Sequence, residues 1–288
     1  MPSKNSTDSA NTTANTPAEH CCNYRCPICH SSLDLTDKTF RCKNNHCFDQ
    51  AKEGYVNLLP VQFKHSKDPG DNKAMVMARR AYLEKSFYQP LIEALLALRD
   101  KYGNESDVIL DAGCGEGYYT AQHKQENNSV YGVDIAKNAV KIAAKKHKSC
   151  NFSVATLSQL PFEDDFFNWI FSIYAPILET EFTRVLNANG YLVTVTPAEH
   201  HLIELKEMIY QDAQLHDTDK TPITALKLIE QSKVHYTIDF TQGDDVLNLL
   251  SMTPFAFKAS EQTKSNIAQL EKFSCQAHFH IRVYQKVE

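Results

Sequence analysis

The sequence predicts an α/β protein: a seven-stranded sheet flanked by helices, with a small metal-binding module ahead of it. Three observations carry that expectation. The apolar run Val108-Ile109-Leu110 enters Asp111-Ala112-Gly113-Cys114-Gly115-Glu116-Gly117, which reads as a buried strand, a glycine-rich turn and the start of a helix. Further strand-like runs follow at 129–134, 151–155, 167–173, 190–196, 234–240 and 276–284. Of the 9 cysteines, those at 21, 22, 26, 29, 42 and 47 crowd into one short stretch.

Residues 1–20 are rich in Ser, Thr, Asn and Ala and read as a disordered tail. They lack the apolar core of a secretion signal, and no stretch approaches the ~18 uninterrupted apolar residues of a membrane span. Residues 21–60 form the metal module. Cys26-Pro27-Ile28-Cys29 and Cys42-Lys43-Asn44-Asn45-His46 are two knuckles whose thiolates and imidazole suit tetrahedral zinc. Four protein ligands leave no open position for water, so the zinc is expected to be structural and to supply folding free energy. Cys47, next to His46, is a rival donor; Cys21 and Cys22 fall outside the spacing and belong to the tail. An odd, clustered cysteine count suits a metal site better than a disulfide framework, and a cytoplasmic setting.

Residues 61–100 read as a linker and helices: Pro69-Gly70 is a turn signal, and a helix follows from about Met75. Basic side chains gather here, at Lys64, His65, Lys67, Lys73, Arg79 and Arg80. A second set, Lys137, Lys141, Lys145 and Lys148, lies on one face of a helix and is expected to be solvated. The net charge of -5 lacks the overall basic footprint of many nucleic-acid binders.

Residues 101–288 hold the glycine turn, and its acids choose the ligand. A pyrophosphate at this helix start would meet Asp111 and Glu116, which oppose the favourable helix dipole. S-adenosylmethionine carries an ammonium and a sulfonium and no phosphate, so an acidic turn suits it. Gly113, Gly115 and Gly117 are also one residue tighter than the dinucleotide fingerprint. The next strand ends in Asp134, placed to accept from the adenosine hydroxyls or to cap the helix that begins near Ala136. This loop and acid resemble those of the class I methyltransferases, whose Rossmann-like α/β fold has a seven-stranded sheet. In the last strand, His278, His280 and Arg282 alternate with apolar residues and are expected on its outer face, not as ligands.

A closer resemblance runs along nearly all of residues 24–288. The knuckles, Ala51-Lys-Glu-Gly-Tyr-Val-Asn-Leu-Leu-Pro-Val61, Asp68-Pro-Gly-Asp71, Ala78-Arg-Arg-Ala81, the segment Asp111 to Thr120, Ile173-Tyr-Ala-Pro176, the segment His201 to Lys206 and Met252-Thr-Pro-Phe-Ala256 resemble the RlmA-type rRNA large-subunit guanine-N1 methyltransferases. That resemblance implies methyl transfer to N1 of a guanosine in a 23S rRNA hairpin, giving 1-methylguanosine. It places structural zinc on Cys26, Cys29, Cys42 and His46, and cofactor contacts on Tyr88, Gly115, Glu116 and His201. It also implies a homodimer and assigns RNA recognition to the zinc module and the basic segment after it. Tyr174 would stand at the mouth of the site, able to stack on the base, but the Tyr174-Ala175-Pro176 loop offers no carboxylate or histidine, and no catalytic base is assigned. A small-molecule methyltransferase, for example one acting on a quinone precursor, fits the cofactor loop but leaves the zinc module without a purpose.

Overall fold

The computed structural model describes residues 23–63, 70–218 and 223–287. The expected disordered tail, Cys21 and Cys22, and the basic residues Lys64, His65 and Lys67 lie outside the described residues. Three short strands open the chain: β1 (Asp34–Thr36), β2 (Thr39–Arg41) and β3 (Cys47–Asp49) form an antiparallel sheet of their own. A two-residue strand, β4 (Val56–Asn57), leads to helices α1 (Lys73–Leu83) and α2 (Gln89–Tyr102). Then β5 (Val108–Ala112), α3 (Tyr118–Gln122), β6 (Ser129–Asp134), α4 (Lys137–Lys146), β7 (Asn151–Val154) and β8 (Phe167–Ile173) alternate. After α5 (Glu179–Val185), β9 (Leu186–Pro197) and α6 (Ile203–Glu207), the long strand β10 (Lys227–Phe240) is followed by α7 (Gly243–Ser251), α8 (Glu261–Ala268) and β11 (Phe273–Gln285).

The large sheet has the order β10-β11-β9-β8-β5-β6-β7-β4. Pairing is parallel from β4 to β9, and β11 runs antiparallel to both its neighbours. All seven strands expected from the sequence are present. The eighth, β4, pairs with the otherwise open edge of β7 and covers it. From β5 the chain winds outward through β6 and β7, then returns to the other side of β5 at β8. The boundary between β5 and β8 is therefore a topological switch point, where open α/β sheets form their ligand crevice. Among the described residues, no helix is long and apolar enough to cross a membrane.

The face-packing of the sheet explains the ends of several elements. Asn72 caps α1, its side chain accepting from the Met75 amide at 3.0 Å, and a proline in the first turn of α2 supplies a fixed φ where no N–H partner is needed. In α4 the residues Ala139, Val140, Ala143 and Ala144 are buried, which leaves its lysines outward as expected. Two of them are nonetheless engaged: Lys141 pairs with Glu53 at 3.4 Å and Lys146 with Glu84 at 2.8 Å. His278 and His280 depart from expectation. Both are buried, at 6% and 9% exposure, because β11 is an interior strand and the segment after β9 folds across it. The amide of His200 donates to His278 Nδ1 at 3.3 Å, and the His278 ring stacks on His235 with centroids 4.1 Å apart.

The metal module is built into one face of the sheet. Tyr24 stacks on Phe162 with centroids 5.1 Å apart and meets Phe40 and Tyr131 edge-on at 5.3 and 6.2 Å. The Arg25 amide donates to the Pro161 carbonyl at 3.0 Å, and the Arg25 guanidinium reaches Asp164 at 2.7 Å. Tyr24, Cys26, Phe40 and Cys42 thus share a core with Tyr131, Phe162 and Phe167. Truncating Phe162 should leave a cavity under both parts at once. Phe162→Ala is expected to lower unfolding free energy by about 3–5 kcal/mol and to speed cleavage within residues 23–57 under limited proteolysis. A loss below about 1 kcal/mol in denaturant titration would mean that the two parts do not share a core.

Candidate active site and metal centre

A cavity of about 740 Å³ opens at the carboxyl ends of the parallel strands, within the size range of small-molecule sites. Its floor is the turn after β5. Gly113 and Gly115 have φ of +87° and +54°, a left-handed backbone that glycine adopts without strain. A Cβ on Gly113 would lie 2.5 Å from the Cβ of Ala175, so the turn and the loop after β8 can approach only because that side chain is missing. Asp134 locks the turn in place: one carboxylate oxygen accepts from the Gly115 amide at 2.9 Å and the other from Ala136 at 2.7 Å. It thus serves the loop and the start of α4 together. Burial holds its carboxyl above the usual range.

Tyr88, Gly113, Gly115, Glu116, Asp134 and His201 all line this cavity. Asp111 does not, contrary to the expectation of a direct contact. It lies buried behind the turn, and its carboxylate accepts from the Thr120 hydroxyl at 2.6 Å, which draws it back toward α3. Burial pushes its carboxyl up to about 7. Glu116 is different in kind. Only 2% of it is exposed, and neither carboxylate oxygen has a hydrogen-bond partner within the protein. Desolvation raises its pKa, partly offset by Lys146 and Arg80. A buried carboxylate without a donor is costly, and a cationic ligand group in the cavity would satisfy it.

The far wall joins β8 to the segment after β9. Tyr174 takes φ of +57°, uncommon for a side chain of its size, and its amide donates to the Val195 carbonyl at 3.1 Å. Its hydroxyl lies 3.0 Å from His201 Nε2. The other ring nitrogen, Nδ1, accepts from the His278 amide at 3.1 Å. Burial pushes the His201 imidazole down to about 3, with His216 and Lys206 adding to the depression, so the ring is neutral. Sequence reasoning found Tyr174 and His201 separately and missed that they touch. It also left unassigned Arg79, ion-paired with Asp71 at the cavity, and the turn Pro254–Phe257, whose Phe257 is 73% exposed at the rim. An exposed aromatic behind a proline turn was the signal available for the latter.

In the metal module, Cys26, Cys29, Cys42 and His46 bring one ligand atom each within 4.8 Å of one another. Cys29 and Cys42 Sγ are 3.7 Å apart, and His46 Nδ1 is 3.4 Å from the sulfurs of both Cys26 and Cys42. A tetrahedral site with Zn–S bonds of about 2.3 Å has S–S edges of about 3.8 Å, so the cluster fits zinc and is closed on all sides. The hydroxyl and amide of Ser31 hold the Cys29 thiol down at about 5, in the thiolate form that a metal requires. Cys47 is exposed and turns to the Asn45 carbonyl at 3.3 Å, away from the cluster.

Comparison with known proteins agrees with both halves. A zinc-ribbon family model described as "RlmA, N-terminal" matches residues 24–67, and a methyltransferase-domain model matches residues 104–242. The chain is similar to the 23S rRNA (guanine(748)-N(1))-methyltransferase of Streptomyces fradiae, with 37% identity over 64% of this chain and 67% of that one. It is 30% identical to a protein of Micromonospora griseorubida over 81% of this chain and 86% of that one, and 28% identical to one of Bacillus subtilis over 86% and 92%. Both of these are provisionally named 23S rRNA (guanine-N(1)-)-methyltransferases.

The His201 geometry has a pH signature. An unfolded histidine protonates near 6.5, the folded one near 3, so the unfolded chain binds a proton that the folded chain refuses. The stability it contributes is full above pH 6.5 and is lost as pH falls toward 3. Nitrogen-15 spectra should find His201 neutral at pH 5, with its proton on Nε2. A titration midpoint near 6.5, or a proton on Nδ1, would contradict the assignment.

Proposed function

The chain belongs to the 23S rRNA (guanine-N1)-methyltransferase family of RlmA type, and from that membership and the cavity we infer that it methylates N1 of a guanosine in 23S rRNA. The observation that carries the cofactor half is Glu116, a buried carboxylate without a donor, beside a glycine turn at the switch point. S-adenosylmethionine fits this donor set, and when bound it supplies an electrophilic methyl group on a sulfonium. Glu116 would take its ammonium. Asp134 has one lone pair left on each oxygen and would accept from the ribose hydroxyls. Gly113 and Gly115 would let backbone lie against the ligand, Tyr88 and His201 would wall it in, and Asp111 would shape the turn from behind. The four metal ligands would hold a structural zinc at Cys26, Cys29, Cys42 and His46.

The RNA half rests on the zinc module. A protein acting on a small substrate needs only the cavity, whereas this chain carries a metal-stabilised module packed into the same core and displaying Ile28 and Leu35 at its surface. Such a module extends the surface beside the cavity, as a large folded substrate with one extruded base requires. In-line transfer to N1 then depends on alignment and exclusion of water, which the rigid rim supplies.

Two measurements test these readings. Glu116→Gln should weaken S-adenosylmethionine binding by about 10–100-fold in calorimetry, since a charge-assisted bond is lost. The same variant without ligand should be no less stable than wild type, because an unpaired buried charge has been removed. Unchanged affinity would remove Glu116 from the site. Incubation with labelled S-adenosylmethionine and unmodified 23S rRNA should yield 1-methylguanosine by mass spectrometry of nuclease digests. Cys42→Ser should lose zinc in metal analysis and lose RNA methylation with it. Label in a small-molecule extract and none in RNA would overturn the substrate assignment.

A further inference from the structure

We propose that the Tyr174 hydroxyl donates a hydrogen bond to O6 of the target guanine and stabilises the negative charge that develops there as N1 is methylated. The inference rests on the guanine-N1 reading above. It follows from the direction of three hydrogen bonds. The His278 amide can only donate, so His201 Nδ1 accepts and carries no proton. A neutral imidazole then has its proton on Nε2, which points at Tyr174 at 3.0 Å. Tyr174 oxygen is therefore an acceptor in that contact, and its own proton must go elsewhere. Among the described residues the hydroxyl has no second partner. Tyr174 is 43% exposed although its hydroxyl meets a histidine that is only 4% exposed; its open surface is the surface it gives to the cavity.

The backbone agrees. Tyr174 is held at φ +57° with its amide tied to Val195, and the Ser172 hydroxyl donates to the Ala175 carbonyl at 3.2 Å. Strain of this kind persists where the surroundings fix a side chain for a task. The same loop packs against Gly113, so the hydroxyl and the methyl-donor turn face one cavity. Burial raises the Tyr174 hydroxyl well above its usual range, so it stays protonated and acts as a donor, not as a base.

The chemistry needs such a donor. The N1 lone pair forms the new bond to carbon while the carbon–sulfur pair stays on sulfur as a thioether, and the N1 proton passes to water. As that proton leaves, the electron pair it releases is shared with the adjacent carbonyl, and O6 takes on anionic character. A fixed donor with no water to reorganise stabilises that oxygen more in the transition state than in the ground state. His201, donating to the Tyr174 oxygen, makes the phenol a stronger donor through the same chain.

The test pairs Tyr174→Phe with a change in the substrate oxygen. Single-turnover methylation of a 23S rRNA hairpin should slow by about 100-fold in the variant, the scale of one lost oxyanion donor, with S-adenosylmethionine and RNA affinities unchanged. With 6-thioguanosine at the target position the acceptor is a weak sulfur, and the variant should lose less than about 3-fold relative to wild type, since little remains to be lost. Equal slowing on both RNAs would overturn the proposal and leave Tyr174 a packing residue; so would no slowing on either. A wild-type protein that leaves guanosine N1 unmethylated overturns the functional reading itself, and this inference with it.

Discussion

The two hydrogen bonds accepted by Asp134, from Gly115 and from Ala136, hold together everything that faces the cavity. They join the turn after β5 to the end of β6 and the first turn of α4, so three elements end at one carboxylate. The left-handed turn has no regular ladder of its own to stabilise it, and its amides need acceptors. With Asp134 in place, Gly113 comes up against Ala175, which fixes the loop after β8. That loop sets Tyr174, and Tyr174 meets His201 from the segment after β9. The cavity wall is thus a chain of contacts that starts at one side chain.

The same carboxylate belongs to an acidic group. Asp111, Glu116 and Asp134 are each 2% exposed or mostly buried, and burial raises all three. Their roles separate by hydrogen bonding. Asp111 has Thr120, Asp134 has two amides, and Glu116 has no partner in the protein. A negative field with one unsatisfied acceptor selects against phosphate and for a cation, which is the physical content of the sequence argument from charge. Arg79, already bound to Asp71, keeps its own charge occupied at the rim.

Much of this was legible in the sequence, and the gaps have a common cause. The strands of the main sheet were readable because each is an uninterrupted apolar run buried on both faces, as in Val130 to Val133 or Trp169 to Phe171. The metal ligands were readable from spacing alone except at His46 and Cys47, where adjacency left two candidates and only the geometry of the turn at Asn45 separates them. β4 was not readable, since two residues make no pattern. The alternation of His278 and His280 mimicked a solvated strand face. What buries them comes from residues about 80 positions earlier in the chain, a distance at which local periodicity carries no signal. Asp111 and Tyr174 failed in the same way: their types were recognised, but their partners Thr120 and His201 decide what they do.

The zinc module gains meaning from where its last strand goes. β4 pairs with β7, and the residues just after β7 form part of the cavity wall. The Leu58 amide continues that pairing to the Val154 carbonyl at 2.9 Å, and the Glu53 carbonyl accepts from Lys148 at 2.7 Å. Tyr24 and Phe162 fasten the opposite end of the module to the same sheet. A body fixed by a strand at one end and an aromatic core at the other has little freedom to swing. The surface of the module therefore keeps a constant distance from Tyr174, and a substrate gripped there is already in register with the cavity. Alignment of this kind converts binding at one site into orientation at another, so the metal ligands, far from the reacting atoms, act on the rate through geometry.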